Sequence, residues 1–448
     1  MPDRLDSVGR GTSLLSEWRI VALCGGFILA ILCRPAPARA GMAGTLDPGF
    51  GTGGKVISDV GSGSQDSAIA VGIATGRKPV VIGTSDANGS KDFAVLRYTK
   101  AGALDTKFGV GGKVLTDFGT GSSDFANGGL VEPNGKIVVV GGSNAADSNT
   151  DFAIARYNKN GTLDSSFGNG GKVLTDFGAG NQFEDATAVA LAAGGKLIVV
   201  GGTSTDFAVA RYNKNGTLDT SFGTGGLVTT DFGGDTDFAQ AVAIQSDGKI
   251  VVAGSSNASD PMKRDFAIAR YNKNGTLDMK FGNGGKVLTD FGTDSYDVGG
   301  AMVLAPNGKI VVGGSSDALD PNFDFALARY NRDGSLDDTF GNGGKVLTPF
   351  GMGSDDEMDA IALEPRNKII AVGSTLAQNP DGDTALARYT GNGSLDPTFG
   401  SGGLVITNFG GPSEANAIAI AGSKAVVAGN TSALDPMGDI AVARFLLK

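Results

Sequence analysis

From residue 41 to residue 448, short apolar runs alternate with turn residues, and no window carries apolar positions at helical spacing. One stretch shows the unit. Ala239 to Ile244 alternates small and β-branched residues, Ser246-Asp247-Gly248 reads as a hairpin turn, and Lys249 to Gly254 is a continuous apolar run, as in a strand buried on both faces. Asp265 to Tyr271 and Lys286 to Phe291 supply a third and a fourth strand. The pattern predicts an all-β chain of four-stranded antiparallel units.

The unit recurs. Leu-Asp-x-x-Phe-Gly-x-Gly-Gly occurs seven times, with its Asp at 47, 105, 164, 219, 278, 337 and 396, and Asp-x-Ala-x-x-Arg-aromatic also occurs seven times, ending at Arg97, Arg156, Arg211, Arg270, Arg329, Arg388 and Arg444. Four strands in each unit of about 58 residues, repeated around a ring, make a seven-bladed β-propeller. The order of the strands implies how the ring shuts. A fourth-type strand, Lys55 to Val60, stands near the start, and the chain ends on a third-type strand, Asp439 to Phe445. Pairing the two completes the seventh blade and leaves no open edge, so a monomer is expected. Residues 41–448 are read as a single propeller domain with no room for another.

These phrases, and above all Tyr157-Asn158-Lys159-Asn160-Gly161-Thr162-Leu163-Asp164, resemble the delta-60 repeat family of bacterial exported proteins. The resemblance spans Gly44 to Lys448. It implies a propeller and an exported location, and it brings no catalytic residues with it.

Residues 1–40 differ in kind. Arg4, Arg10 and Arg19 lead into an apolar run from Ile20 to Cys33, followed by Ala38-Arg39-Ala40, the order of a secretory signal peptide cleaved after Ala40. The run is shorter than the ~20 residues of a spanning helix, and Pro35 and Pro37 prevent its extension, so no membrane insertion is expected after cleavage. The expected location is the periplasm, the cell surface or the medium. Cleavage would remove Cys24, Cys33 and Trp18, and the chain has no histidine. Thiolate nucleophiles, Ser-His-Asp triads, the usual zinc sites and haem ligation are thereby excluded from residues 41–448. This part holds 32 basic and 44 acidic residues, and a net charge of −12 disfavours nucleic acid as a partner.

A residue present in every copy serves every blade, whereas a single active site would break the symmetry. In Leu163-Asp164-x-x-Phe167, one helical turn would put Leu163 and Phe167 on the same side, with the Asp as its cap. The recurrent arginines need buried acceptors. Asp92, Asp151, Asp206, Asp265, Asp324, Asp383 and Asp439 are candidates, as are Asp117, Asp176, Asp231 and Asp290. Asn158-Lys159-Asn160-Gly161 is a glycine turn rather than a calcium loop, which needs more carboxylates.

Candidate chemistry lies on the face carrying the variable loops. The alternating pattern puts an acid just before the innermost strand in six units, Asp66, Asp124, Glu184, Asp237, Asp297 and Asp356, with Ser413 in the seventh. In a propeller these would ring the channel mouth. They would either close their own turns or hold a cation, with calcium the one cofactor to consider. The sixth unit gathers Asp355, Asp356, Glu357 and Asp359, from which a carbohydrate-active hydrolase with paired carboxylates could be built. The primary expectation is an exported, non-enzymatic binding or surface-interaction scaffold whose partner is a protein or a glycan. A structural or adhesive matrix component and the sixth-unit hydrolase are the alternatives.

Overall fold

A computed structural model of the protein describes residues 41–147, 149–178 and 183–448. The signal peptide expected over residues 1–40 lies outside the described residues. Among the described residues, twenty-eight strands form seven four-stranded antiparallel sheets. Six sheets take their strands in sequence order. The first of them, blade 1, consists of Asp66–Ala74, Lys78–Ser85, Asp92–Arg97 and Lys113–Thr116. Blade 7 pairs Ser413–Ile420, Lys424–Thr431 and Asp439–Leu446 with Lys55–Ser58, in the register Lys55 opposite Ala443 and Ser58 opposite Ile440. The first strands of successive blades touch around a closed cycle from blade 1 to blade 7 and back. The protein is a seven-bladed β-propeller shut by its amino-terminal strand. Two short 3₁₀ turns, Ala193–Gly195 and Pro365–Asn367, are the only helical elements among the described residues, and no helix is long and apolar enough to cross a membrane.

The core is seven layers, each lying between two consecutive blades. Between blades 1 and 2, Val80, Ile82, Phe93 and Phe108 of one meet Val139, Ala153 and Tyr157 of the other. Second and third strands are buried on both faces, which is why they read as continuous apolar runs. Polar pins cross six of the seven layers: Tyr157 donates to Thr116 at 2.8 Å, Tyr271 to Thr230 at 2.8 Å, and Tyr98 to Ser58 at 2.9 Å across the closure. In the seventh junction Phe445 stands where the tyrosine would be.

Two expectations are corrected. Leu-Asp-x-x-Phe makes no helical turn: Leu163 bridges Tyr157 as a short strand extension, and Phe167 N–H donates back to the Asp164 carbonyl at 2.9 Å. The leucine and phenylalanine of one copy therefore face opposite sides of their blade, Leu163 packing with Phe108 and Phe167 with Leu218. The arginines, for their part, do not pair with the strand acids such as Asp92 or Asp117. Six of them take the Asp eight residues on, so that Arg270 Nε donates to Asp278 at 2.8 Å and Arg156 to Asp164 at 2.7 Å, and the seventh, Arg444, reaches Asp47 at 2.6 Å across the closure. The tight turn after the tyrosine folds the Asp back beside the arginine of its own strand. The other oxygen of Asp164 accepts from Ser166 N–H at 3.3 Å, so one carboxylate both caps a turn and holds a guanidinium.

An acid-lined axial cavity and five carboxylate triads

Every first strand carries a β-bulge at the same place. Register slips between Ala68 and Ala70, Ala126 and Gly128, Ala186 and Ala188, and likewise in the other four blades. The unpaired residues are Ile69, Asn127, Thr187, Gln240, Gly300, Asp359 and Asn416, and all seven line one cavity of about 710 Å³. A bulge re-aims a side chain, and here seven of them aim at the axis. Asp185, Glu357 and Glu414, two residues before their bulges, join them. The lining thus holds four carboxylates, and no lysine or arginine among the described residues.

Amides steady part of this charge. Asn127 Nδ2 donates to Asp185 at 2.6 Å, and Asn430 Nδ2 to Glu414 at 2.6 Å. Enclosure by the barrel of first strands pushes the Asp185 carboxyl up to about 7. Asp359 is open to water along the axis but walled in by protein, and this enclosure, with Glu414 and Glu357 nearby, pushes it up to about 8. Gln240 Oε1 is shielded from solvent and accepts no hydrogen bond within the protein.

The six acids expected at the channel mouth are not brought together there. Residues alternate along a strand, so Glu357 faces the axis while Asp356, its neighbour, faces the junction between blades. Asp66, Asp124, Glu184, Asp237, Asp297 and Asp356 are all buried, and each accepts the backbone N–H that ends the preceding blade, as Phe118 N–H does to Asp124 at 2.7 Å and Phe350 N–H to Asp356 at 2.7 Å. Ser413, in the seventh unit, is buried and has only its hydroxyl to offer, which accepts Thr384 N–H at 3.3 Å. The sixth-unit acids diverge for the same reason. Asp355 holds Phe323 N–H at 2.9 Å, Asp356 enters the junction, and Glu357 and Asp359 face the axis.

At five junctions the buried acid meets two acids of the preceding blade. The groups are Asp59, Asp66 and Asp439; Asp92, Asp117 and Asp124; Asp151, Asp176 and Glu184; Asp206, Asp231 and Asp237; and Asp265, Asp290 and Asp297, with one oxygen of each residue within 4.8 Å of the others in its group. Burial and the neighbouring negative charges hold these buried carboxyls above their usual range; Glu184 reaches about 7 and Asp297 about 6. Nine of the eleven acids that the sequence offered as arginine partners belong to these triads instead, Asp324 and Asp383 being the exceptions.

Six segments of the chain, 78–108, 132–167, 195–222, 245–281, 305–340 and 367–399, match the family described as a domain of unknown function (DUF5122) beta-propeller. The chain is a β-propeller repeat protein. Among solved structures, this propeller is similar to a streptogramin B lyase, with a TM-score of 0.51 and 10% identity over 88% of this chain and 97% of that one. It is similar also to the polysaccharide lyase Uly1, with a TM-score of 0.50 and 10% identity over 92% and 94% of the two chains. A protein of unknown function from Dyadobacter fermentans aligns with a TM-score of 0.48 and 11% identity over 90% and 100% of the two chains. At such identities the likeness extends to the fold alone. No curated protein sequence matches the propeller.

Of the bulge residues only Asp359 was singled out from the sequence, although a signal for the others was there. They vary from copy to copy, from Ile to Asn, Thr, Gln, Gly and Asp, between positions held by small residues in six of the seven copies.

Proposed function

We propose that the protein is an exported, non-catalytic binding propeller of the delta-60 kind, which takes a lysine- or arginine-rich segment of a partner protein into its axial cavity. The observation that carries this reading is the sign of the lining: Asp185, Glu357, Asp359 and Glu414 converge with no lysine or arginine among the described lining residues. A volume of about 710 Å³ suits an extended segment of a few residues. A cationic ligand would relieve the mutual repulsion of the acids, and the amides Asn127, Gln240 and Asn416 offer hydrogen bonds to its backbone. The hydrolase alternative loses the pair Asp356 and Glu357, which face opposite sides of one strand, and would have to use Glu357 and Asp359, which share the cavity.

Calorimetric titration with a short oligolysine tests it. Binding should weaken with salt, and the triple variant Glu357→Gln, Asp359→Asn, Glu414→Gln should bind roughly tenfold to thirtyfold less tightly, at about 0.5–0.7 kcal/mol for each solvated pair lost. Equal binding by the triple variant, or binding of neutral glycans and not of oligolysine, would overturn the reading. Amino-terminal sequencing of exported protein should begin at Gly41.

A further inference from the structure

The five inter-blade triads play no part in that reading, and they carry a separate one. We propose that each triad binds one divalent cation of the calcium class, so that ions staple blade 7 to 1, 1 to 2, 2 to 3, 3 to 4 and 4 to 5.

The junction of blades 1 and 2 shows the argument. Asp92 and Asp124 are both 0% exposed, Asp117 lies at the surface, and an oxygen from each falls within 4.8 Å of the other two. Two oxygens on opposite sides of one calcium ion, each at about 2.4 Å, stand about 4.8 Å apart. Three carboxylates gathered this closely repel one another unless something positive lies among them. Among the described residues that something is not a side chain. The ion pairs go to the Asp105-type acids and to Glu364, and the nearby Lys172 donates to the Asp117 carbonyl at 3.0 Å.

A second observation points to a missing partner. Asp92 accepts Asn88 Nδ2 on Oδ2 at 3.0 Å, but its Oδ1, sealed from solvent, accepts no well-directed hydrogen bond, with the Ser90 hydroxyl nearby. Leaving a buried carboxylate oxygen bare is costly unless a ligand completes it. Asp124, Asp237 and Asp297 also keep an Oδ1 without a well-directed hydrogen bond, beside the hydroxyls of Ser143, Ser256 and Ser316 that favour the ionised form.

The junction of blades 6 and 7 acts as a built-in control. Between blades 6 and 7, Asn408 and Ser413 replace two of the acids, and Asn408 Nδ2 donates to Asp383 at 2.7 Å. Where the chain gives up the surface acid, an amide donor takes over its place beside the strand acid. Between blades 5 and 6, Pro349 replaces the surface acid and leaves the pair Asp324 and Asp356, where Asp324 Oδ2 is likewise sealed and accepts no hydrogen bond. An all-oxygen ligand set without His or Cys selects a hard cation, and the surface acid gives it a way in from solvent.

The test is a count. Chelator-stripped protein dialysed against millimolar calcium should retain five ions per chain by elemental analysis, and the chelator should lower its melting temperature. Asp117→Asn, at an exposed position, should retain four, Asp338→Asn five, and the Glu357/Asp359/Glu414 triple variant five. Folded protein that retains no calcium would overturn the proposal. So would an unchanged count in Asp117→Asn, or loss of all the ions from the axial triple variant.

Discussion

Replacing Asp278 by asparagine tests the account of what holds the blades together. Asp278 Oδ2 takes Arg270 Nη2 at 2.7 Å and Lys249 Nζ at 2.7 Å, and the Arg270 and Asp278 side chains are 7% and 6% exposed. Arg270 also donates to the Arg332 carbonyl of the next blade and lies 4.4 Å from the centre of the Phe281 ring. Removing one partner of a buried pair costs about 3–5 kcal/mol, because the other charge is left uncompensated. The ring face and the carbonyl return part of this, and the asparagine oxygen still accepts one bond. A loss of about 2–3 kcal/mol is therefore expected. The equivalent site in blade 1 is wetter, Arg97 being 12% and Lys78 34% exposed, so Asp105→Asn should lose about half as much. Urea unfolding of the wild type and both variants, followed by fluorescence and circular dichroism, measures the difference. A loss below about 1 kcal/mol for Asp278→Asn, or a larger loss for Asp105→Asn, would refute the reasoning.

Two more outcomes are expected. Lys249 and Arg270 outweigh burial and hold the Asp278 carboxyl below its usual range, so its contribution is complete above about pH 5 and fades as pH falls through the depressed value; the stability gap between wild type and Asp278→Asn should stay constant from neutral pH to about 5 and shrink below about 4, and a gap closing between pH 8 and 6 would contradict this. Deleting residues 44–61 removes the strand paired with Asp439–Leu446 and the buried Phe50, so light scattering should find association and the melting temperature should fall; a monomer of unchanged stability would show that closure contributes nothing.

The number of blades, four strands in each, and the closure by Lys55–Ser58 were legible in the sequence, because strand periodicity and turn chemistry are local and seven copies repeat them. The partner of each arginine was legible in principle, since Arg270 and Asp278 keep the same separation of eight residues in six copies. It went unread because the strand acids fit the same electrostatic requirement equally well, and only the fold of the turn decides between them. The axis and the junctions were decided by tertiary structure. Alternation along one strand sends Glu357 and Asp359 into the cavity and Asp356 between blades, so neighbours in sequence part company. Asp92, Asp117 and Asp124 come together only because a strand start, a strand end and the next blade's first residue meet at one corner. The sequence determines which residues every blade shares, through short-range preferences acting within about sixty residues. Which acids face one another depends on how complete blades stack, and that is set by packing across the ring.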